Sequence, residues 1–189
     1  ERKMPKSRLV LLDANVVIGL FELKLWDALV ARYEVLIAET CVGEALWYED
    51  GEHRIDIDLA PYIADNRITT VSADLSAVQA FSKRFEPNYL EKLDPGELES
   101  LTHLLATENP AAPCQICSGD RIVYRVLGNL GEGELGISLE ELLSAIGRTV
   151  KVGRMFTKAF REEATDQGFK ERMRGLGVKG PSAGPKKGW

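Results

Sequence analysis

Four acidic residues stand at one kind of place in this chain. Asp13 ends the apolar run Leu9–Leu12, and Glu44 lies in the helix expected after a second apolar strand. Glu97 opens the helix after the turn Asp94–Pro95–Gly96, and Asp120 follows the run CQICS. If the apolar runs are parallel strands, all four acids reach the edge where strands end and helices begin, which is where open α/β sheets place ligands. Carboxylates converging there repel one another unless protons or a cation intervene. An oxygen-only donor set without His or Cys selects a hard ion such as Mg²⁺ or Mn²⁺. Such an ion can activate water and stabilise charge on a phosphate, the chemistry of phosphodiester hydrolysis. Each acid also has a structural alternative. Asp13, Asn15 and Asp120 suit helix N-caps, Glu97 favours a helix N-terminus electrostatically, and Glu44 suits a solvated mid-helix position. Asp94 reads as a turn cap, and Glu99 falls two residues from Glu97, off its helix face.

Positioning these acids takes a sheet with helices beside it. After Leu9–Leu12 a helix is expected over Val16–Ala31, then a strand in YEVLIA (Tyr33–Ala38) and a helix over Thr40–Glu49. Ile55, Ile57 and Leu59 alternate with Asp56 and Asp58, the pattern of a short strand or extended loop. A strand over Asn66–Val71 and a helix over Ala73–Phe85 follow. The helix over Glu97–Thr107, stopped by Asn109, Pro110 and Pro113, buries Leu98, Leu101, Leu104 and Leu105. CQICS (Cys114–Ser118) reads as a strand, Arg121–Leu130 as a helix and Ile137 as a short strand. Ser138 and Glu141 form a capping box ahead of Leu142, Leu143 and Ile146. A last helix is expected over Val152–Arg174. This alternation implies a three-layer α/β/α sandwich with a small, mainly parallel sheet. The expected organisation is a catalytic domain over residues 1–150, a basic helical extension over 151–174, and a disordered Gly-, Pro- and Lys-rich tail over 175–189.

With 189 residues, 44% of them apolar, the chain fits one domain of ordinary size. The net charge of -5 argues against a DNA-coating protein but not against a nucleic-acid enzyme. Charge is uneven: residues 151–189 hold ten Lys or Arg against four Asp or Glu, and residues 1–8 are also net basic, so the body between is acidic. No apolar run approaches the roughly 20 residues of a membrane span. No signal-peptide pattern opens the chain, so no membrane association and a cytoplasmic location are expected. Met4 reads as a natural start. Three cysteines do not read as a disulfide framework. Cys114-x-x-Cys117 lacks a second pair and falls in a strand, which favours buried small side chains over a redox or metal site. Cys41 reads as structural, and His53 and His103 as surface residues. Gly131, Gly133 and Gly136 follow no suitable strand and make no phosphate-binding fingerprint. Lys151, Arg154, Lys158 and Arg161 could meet nucleic-acid phosphates or form a solvated face.

LLDANVVI (Leu11–Ile18), the downstream Glu44, LDPGELESLTHLLA (Leu93–Ala106) and CSGDRIVYRVLGNLG (Cys117–Gly131) together resemble a PIN domain. GISLEELL (Gly136–Leu143) fits the terminal part of that pattern, and the Gly96–Glu97 pair resembles a bacterial and archaeal branch. The matching blocks span about residues 7–147, roughly three quarters of the chain. The resemblance implies a compact α/β/α nuclease acting on RNA with Mg²⁺ or Mn²⁺, a toxin with an antitoxin protein as partner, and a homodimer. Carried over residue by residue, the acids would be Asp13, Glu44, Glu97 and Asp120. Asp13, Glu97 and Asp120 would hold metal, and Glu44 would complete the cluster or position water. Glu97 stands where the family often has Asp, which leaves direct or water-mediated ligation open. Asn15 and Arg121 would meet water or substrate phosphate, with an ion pair as the alternative for Arg121. The leading expectation is a metal-dependent endoribonuclease. The alternatives are a catalytically weak PIN-like module binding RNA or a protein, and a small α/β phosphatase, which the lack of an Asp-x-Asp pair at Asp13–Asn15 disfavours.

Overall fold

Residues 8–106 and 113–180 are described by a computed structural model. In chain order they form β1 (Leu9–Leu12), α1 (Ala14–Glu22), α2 (Trp26–Val30), β2 (Glu34–Ala38), α3 (Glu39–Glu44), β3 (Trp47–Asp50), β4 (His53–Asp56) and α4 (Ala60–Ala64). There follow β5 (Ile68–Val71), α5 (Leu75–Ser82), α6 (Pro95–Ala106), β6 (Cys114–Cys117), α7 (Arg121–Leu130), α8 (Leu139–Ala145) and α9 (Lys158–Met173). Thr107, Asn109 and Pro110, expected at the end of one helix, and residues 181–189 of the expected tail lie outside the described residues.

Val10, Leu11 and Leu12 are all buried, as a strand covered on both faces must be. β1 accordingly sits inside a four-stranded parallel sheet in the order β5-β2-β1-β6, with Leu12 level with Ile37 and Cys117. Alternate side chains serve opposite layers. Val10, Leu12, Val35 and Ile37 pack with Val16, Val17, Leu20, Leu29 and Leu142. Leu11 and Ile116 pack on the other side with Phe81, Leu101, Val123 and Leu127. Helices therefore flank a small parallel sheet on both faces. All three cysteines are free thiols, with Cys41 and Cys117 buried. No helix among the described residues is long and apolar enough to cross a membrane.

Several elements depart from the sequence pattern for local reasons. The helix expected over Val16–Ala31 breaks in two, because Lys24 takes a left-handed φ of 56° and the break lets Trp26 stack on Phe21 at 5.1 Å. The helix expected over Thr40–Glu49 stops at Glu44, and Trp47–Asp50 turns back as a strand. Gly51, at a φ of 67°, supplies the tight turn of an antiparallel hairpin in which Trp47 is level with Asp56. Ile57 and Leu59, beyond β4, are buried rather than part of an alternating strand. The expected strand at Ile137 reduces to a single parallel bridge between Gly136 and Ile116. Ser138 and Glu141 do form the capping box. The last helix begins only at Lys158, capped by the Thr157 side chain.

α9 lies across α7 on glycine. A Cβ built at Gly128 would stand 2.0 Å from the Thr165 carbonyl oxygen, and one at Gly168 would stand 1.9 Å from that of Arg125. Residues 175–180, at the start of the expected tail, are held in place. The Lys179 N–H donates to the Arg84 carbonyl (2.7 Å), and the Glu86 N–H donates to that of Gly177 (2.8 Å). Buried Asn129 completes the anchor: its Nδ2 donates to the Leu176 carbonyl (2.8 Å) and its Oδ1 accepts from the Val178 N–H (2.8 Å). Asn129→Ala leaves these groups without partners and is expected to cost about 2 kcal/mol, with hydrogen exchange quickening at the Val178 amide. Unchanged protection there would contradict the anchoring role.

Candidate functional site

The acidic pocket is built from the sheet upward. The Asp13 N–H donates to the Cys117 carbonyl (3.2 Å), which fixes this residue where β1 and β6 end. One carboxylate oxygen, Oδ1, accepts the Val16 N–H (2.9 Å) and caps α1. The other, Oδ2, accepts the Gly119 N–H (3.0 Å) and the Ser118 hydroxyl. Capping and placement in the pocket are thus the same act. Asp13 is only 3% exposed, and its burial pushes its pKa up to about 6 against these hydrogen bonds.

Asp120 caps α7 through Oδ1 and the Ile122 N–H (3.0 Å), and its own N–H donates to the Ser118 hydroxyl (2.9 Å). Ser118 therefore ties Asp13 to Asp120. Its backbone is pinned in turn by the buried Tyr124 hydroxyl, which accepts the Ser118 N–H (3.0 Å). Across the pocket, Asp94 and Glu97 cap α6 reciprocally. Asp94 Oδ1 accepts the Glu97 N–H (2.8 Å), and Glu97 Oε2 accepts the Asp94 N–H (3.1 Å). Glu97 is buried, and desolvation first, then repulsion from Asp120, Asp94 and Asp13, pushes its pKa up to about 8. Glu44, exposed at the end of α3, is also raised, by partial burial and then by Asp94. Gly96 lets α3 and α6 approach: a Cβ there would stand 2.7 Å from Cys41 Sγ and 3.2 Å from Glu44 Oε2. Burial pushes the Cys41 thiol up to about 12, so it is inert filling beside the pocket.

Asp13, Glu97 and Asp120, with Asp94 and Glu44 at the rim, share one electrostatic environment at the C-terminal edge of the sheet. Their donor atoms suit a hard divalent ion in kind. Their placement does not: among the described residues no group of three or more His, Cys, Asp or Glu is gathered closely enough to hold a metal ion. Glu99 serves elsewhere, accepting the Thr40 N–H (3.1 Å).

Arg121, Arg161 and Lys158 have acidic partners on the helices rather than in this pocket. Arg121 turns to α9, donating to Gln167 (3.0 Å) and Glu163 (3.0 Å), so its ion-pair alternative is the geometry found. Arg161 donates twice to Glu141 (2.9 and 3.0 Å). Arg154 precedes α9 in a 3-10 turn, and the exposed Lys158 lies 3.6 Å from Glu162. Asn15 is exposed on the first turn of α1, beside Gly119. Sequence reasoning overlooked Ser118 and Tyr124. The one available signal was a small hydroxyl residue between the strand and its acid in CSGD. No family model matches the chain, and no curated protein matches it.

Proposed function

We propose that this chain is a PIN-like module that works by engaging a protein partner and has weak intrinsic hydrolytic activity. The observation that carries this is the occupation of the pocket's own acceptors. Both Asp13 oxygens, Asp120 Oδ1, Asp94 Oδ1 and Glu97 Oε2 already accept hydrogen bonds from the fold, and Glu97 keeps its proton to about pH 8. Acids committed to caps and protonation hold the sheet edge together without a cation. Arg121, Arg125 and Arg161 are paired with Glu163, Glu171 and Glu141, which draws their charge away from a phosphate backbone.

A second reading, a metal-dependent endoribonuclease acting as a toxin, is favoured by a different observation. Burial and then repulsion from Asp120, Asp94 and Asp13 push the Glu97 carboxyl up, which a bound cation would relieve. In that reading Asp13, Glu97 and Asp120 draw together around Mg²⁺ or Mn²⁺. A panel of labelled RNAs incubated with Mn²⁺ at pH 7 and pH 9 separates the two. The first reading expects wild type and Asp13→Asn, both checked for folding by circular dichroism, to cleave equally little. Metal-stimulated cleavage by wild type that Asp13→Asn abolishes would overturn it in favour of the nuclease.

A further inference from the structure

We infer that the outer edge of β4 is a self-association surface, where two copies of this chain pair strand to strand about a two-fold axis at Ile55. The inference stands on the hairpin alone and is independent of the acidic pocket.

Among the described residues, β3 and β4 form a two-stranded sheet with no further strand beside β4. All four β4 residues are exposed, and Ile55 is 38% so. The Ile57 N–H donates inward to the Leu46 carbonyl (2.7 Å). In an antiparallel ladder the backbone groups of alternate residues face alternate edges. His53, Ile55 and Ile57 therefore bond towards β3, while Arg54 and Asp56 present their N–H and C=O groups outward. An isolated hairpin with such an edge is a template for another strand.

The side chains select the partner. When β4 of a second copy lies antiparallel and centred on Ile55, Arg54 of each copy falls opposite Asp56 of the other, and Ile55 meets Ile55. The outward groups of Arg54 and Asp56 are then the ones that pair, so backbone register and charge register coincide. Within one chain Arg54 Nε already lies 3.4 Å from Asp56 Oδ1, with both side chains largely solvent-exposed. The guanidinium also stacks over Trp47 at 4.7 Å, which holds it on that face. Glu52 would face Asp58, and like charges there end the pairing. So short an edge buries less than a standard interface, and the dimer is a weak, concentration-dependent one.

Sedimentation velocity of the full chain over a concentration series tests this. Wild type is expected to shift from monomer towards dimer as concentration rises. Arg54→Asp alone places two acids opposite each other, and Asp56→Arg alone places two bases. Each is expected to weaken association at least about tenfold. Mixing the two variants restores both pairs and should restore the dimer, as should the doubly swapped chain R54D/D56R. Both positions are exposed, so folding should be retained, which circular dichroism of each variant checks. A monomeric wild type across the series, or association indifferent to the swaps, would overturn the inference.

Discussion

Replacing Gly168 by alanine is expected to lower the unfolding free energy by about 3 kcal/mol, a fall in Tm on the order of 6–12 °C for a chain of this size. Alanine is normally the better helix residue by about 1 kcal/mol, so the sign of the effect rests on the crossing of α7 and α9. The new Cβ would lie 1.9 Å from the Arg125 carbonyl oxygen and 2.8 Å from the Asn129 nitrogen. Both are backbone atoms inside α7 and cannot swing aside as a side chain tip can. α9 would have to lift, exposing the buried Ala164 and straining the Asn129 bonds to Gly168 (3.2 Å) and Leu176 (2.8 Å). Gly43 in α3 is the internal control, since a Cβ there meets nothing within 4 Å. Gly43→Ala should leave stability unchanged or raise it by up to about 1 kcal/mol. Urea unfolding of both variants gives the comparison, and equal effects would show that the crossing is not tight.

Stability should also fall steadily as pH rises from 5 to 8.5, and Glu97→Gln should remove most of that fall. An acid whose pKa is raised by folding holds its proton more firmly in the folded chain. Its contribution is complete below the unfolded pKa and is lost as pH climbs through the folded one. For Asp13 that window runs from 3.8 to about 6, and for Glu97 from 4.5 to about 8. Above both, the fold carries ionised carboxylates in a desolvated pocket facing Asp94 and Asp120. Glutamine can still accept the Asp94 N–H and never ionises. At pH 5 the variant should match wild type, and at pH 8.5 it should be more stable by about 2–4 kcal/mol. Urea titrations at the two pH values measure the difference, and a wild-type profile flat with pH would refute the proton-held pocket.

What the sequence made legible was mostly what adjacent residues decide. Leu9–Leu12, the strand in YEVLIA, the Arg121–Leu130 helix and the Ser138–Glu141 capping box all depend on neighbours within a turn or a short run, and all stand where expected. The hairpin was hidden because Ala45, Leu46 and Trp47 suit a helix as well as a strand. Only Gly51 and the docking of Tyr48 against Phe21 at 6.4 Å decide between them. The acids were recognisable as strand-end residues, and Asp13, Glu97 and Asp120 do share one edge. Ser118, which ties two of them together, could not be read from its neighbours. Its partner Asp13 lies 105 residues away and is brought to it by the β1–β6 pairing. The charge on α9 was legible as a count but not as a surface. Glu141, which neutralises Arg161, comes from the turn of α8, and the pairing appears only when the helices pack.

The strand order also sets a timetable. β2 leaves the ribosome soon after β1, but the strand that covers β1's other side is β6, made about a hundred residues later. Until Cys114–Cys117 has been made, β1 carries an apolar, unpaired edge, the kind that recruits strands from neighbouring chains. Asp13 meanwhile has neither the Ser118 hydroxyl nor the Gly119 N–H to hold it. The acidic pocket is therefore a late product of synthesis. Chains stalled before β6 should be prone to aggregation, and refolding of the whole chain should be limited by this long-range closure rather than by its helices.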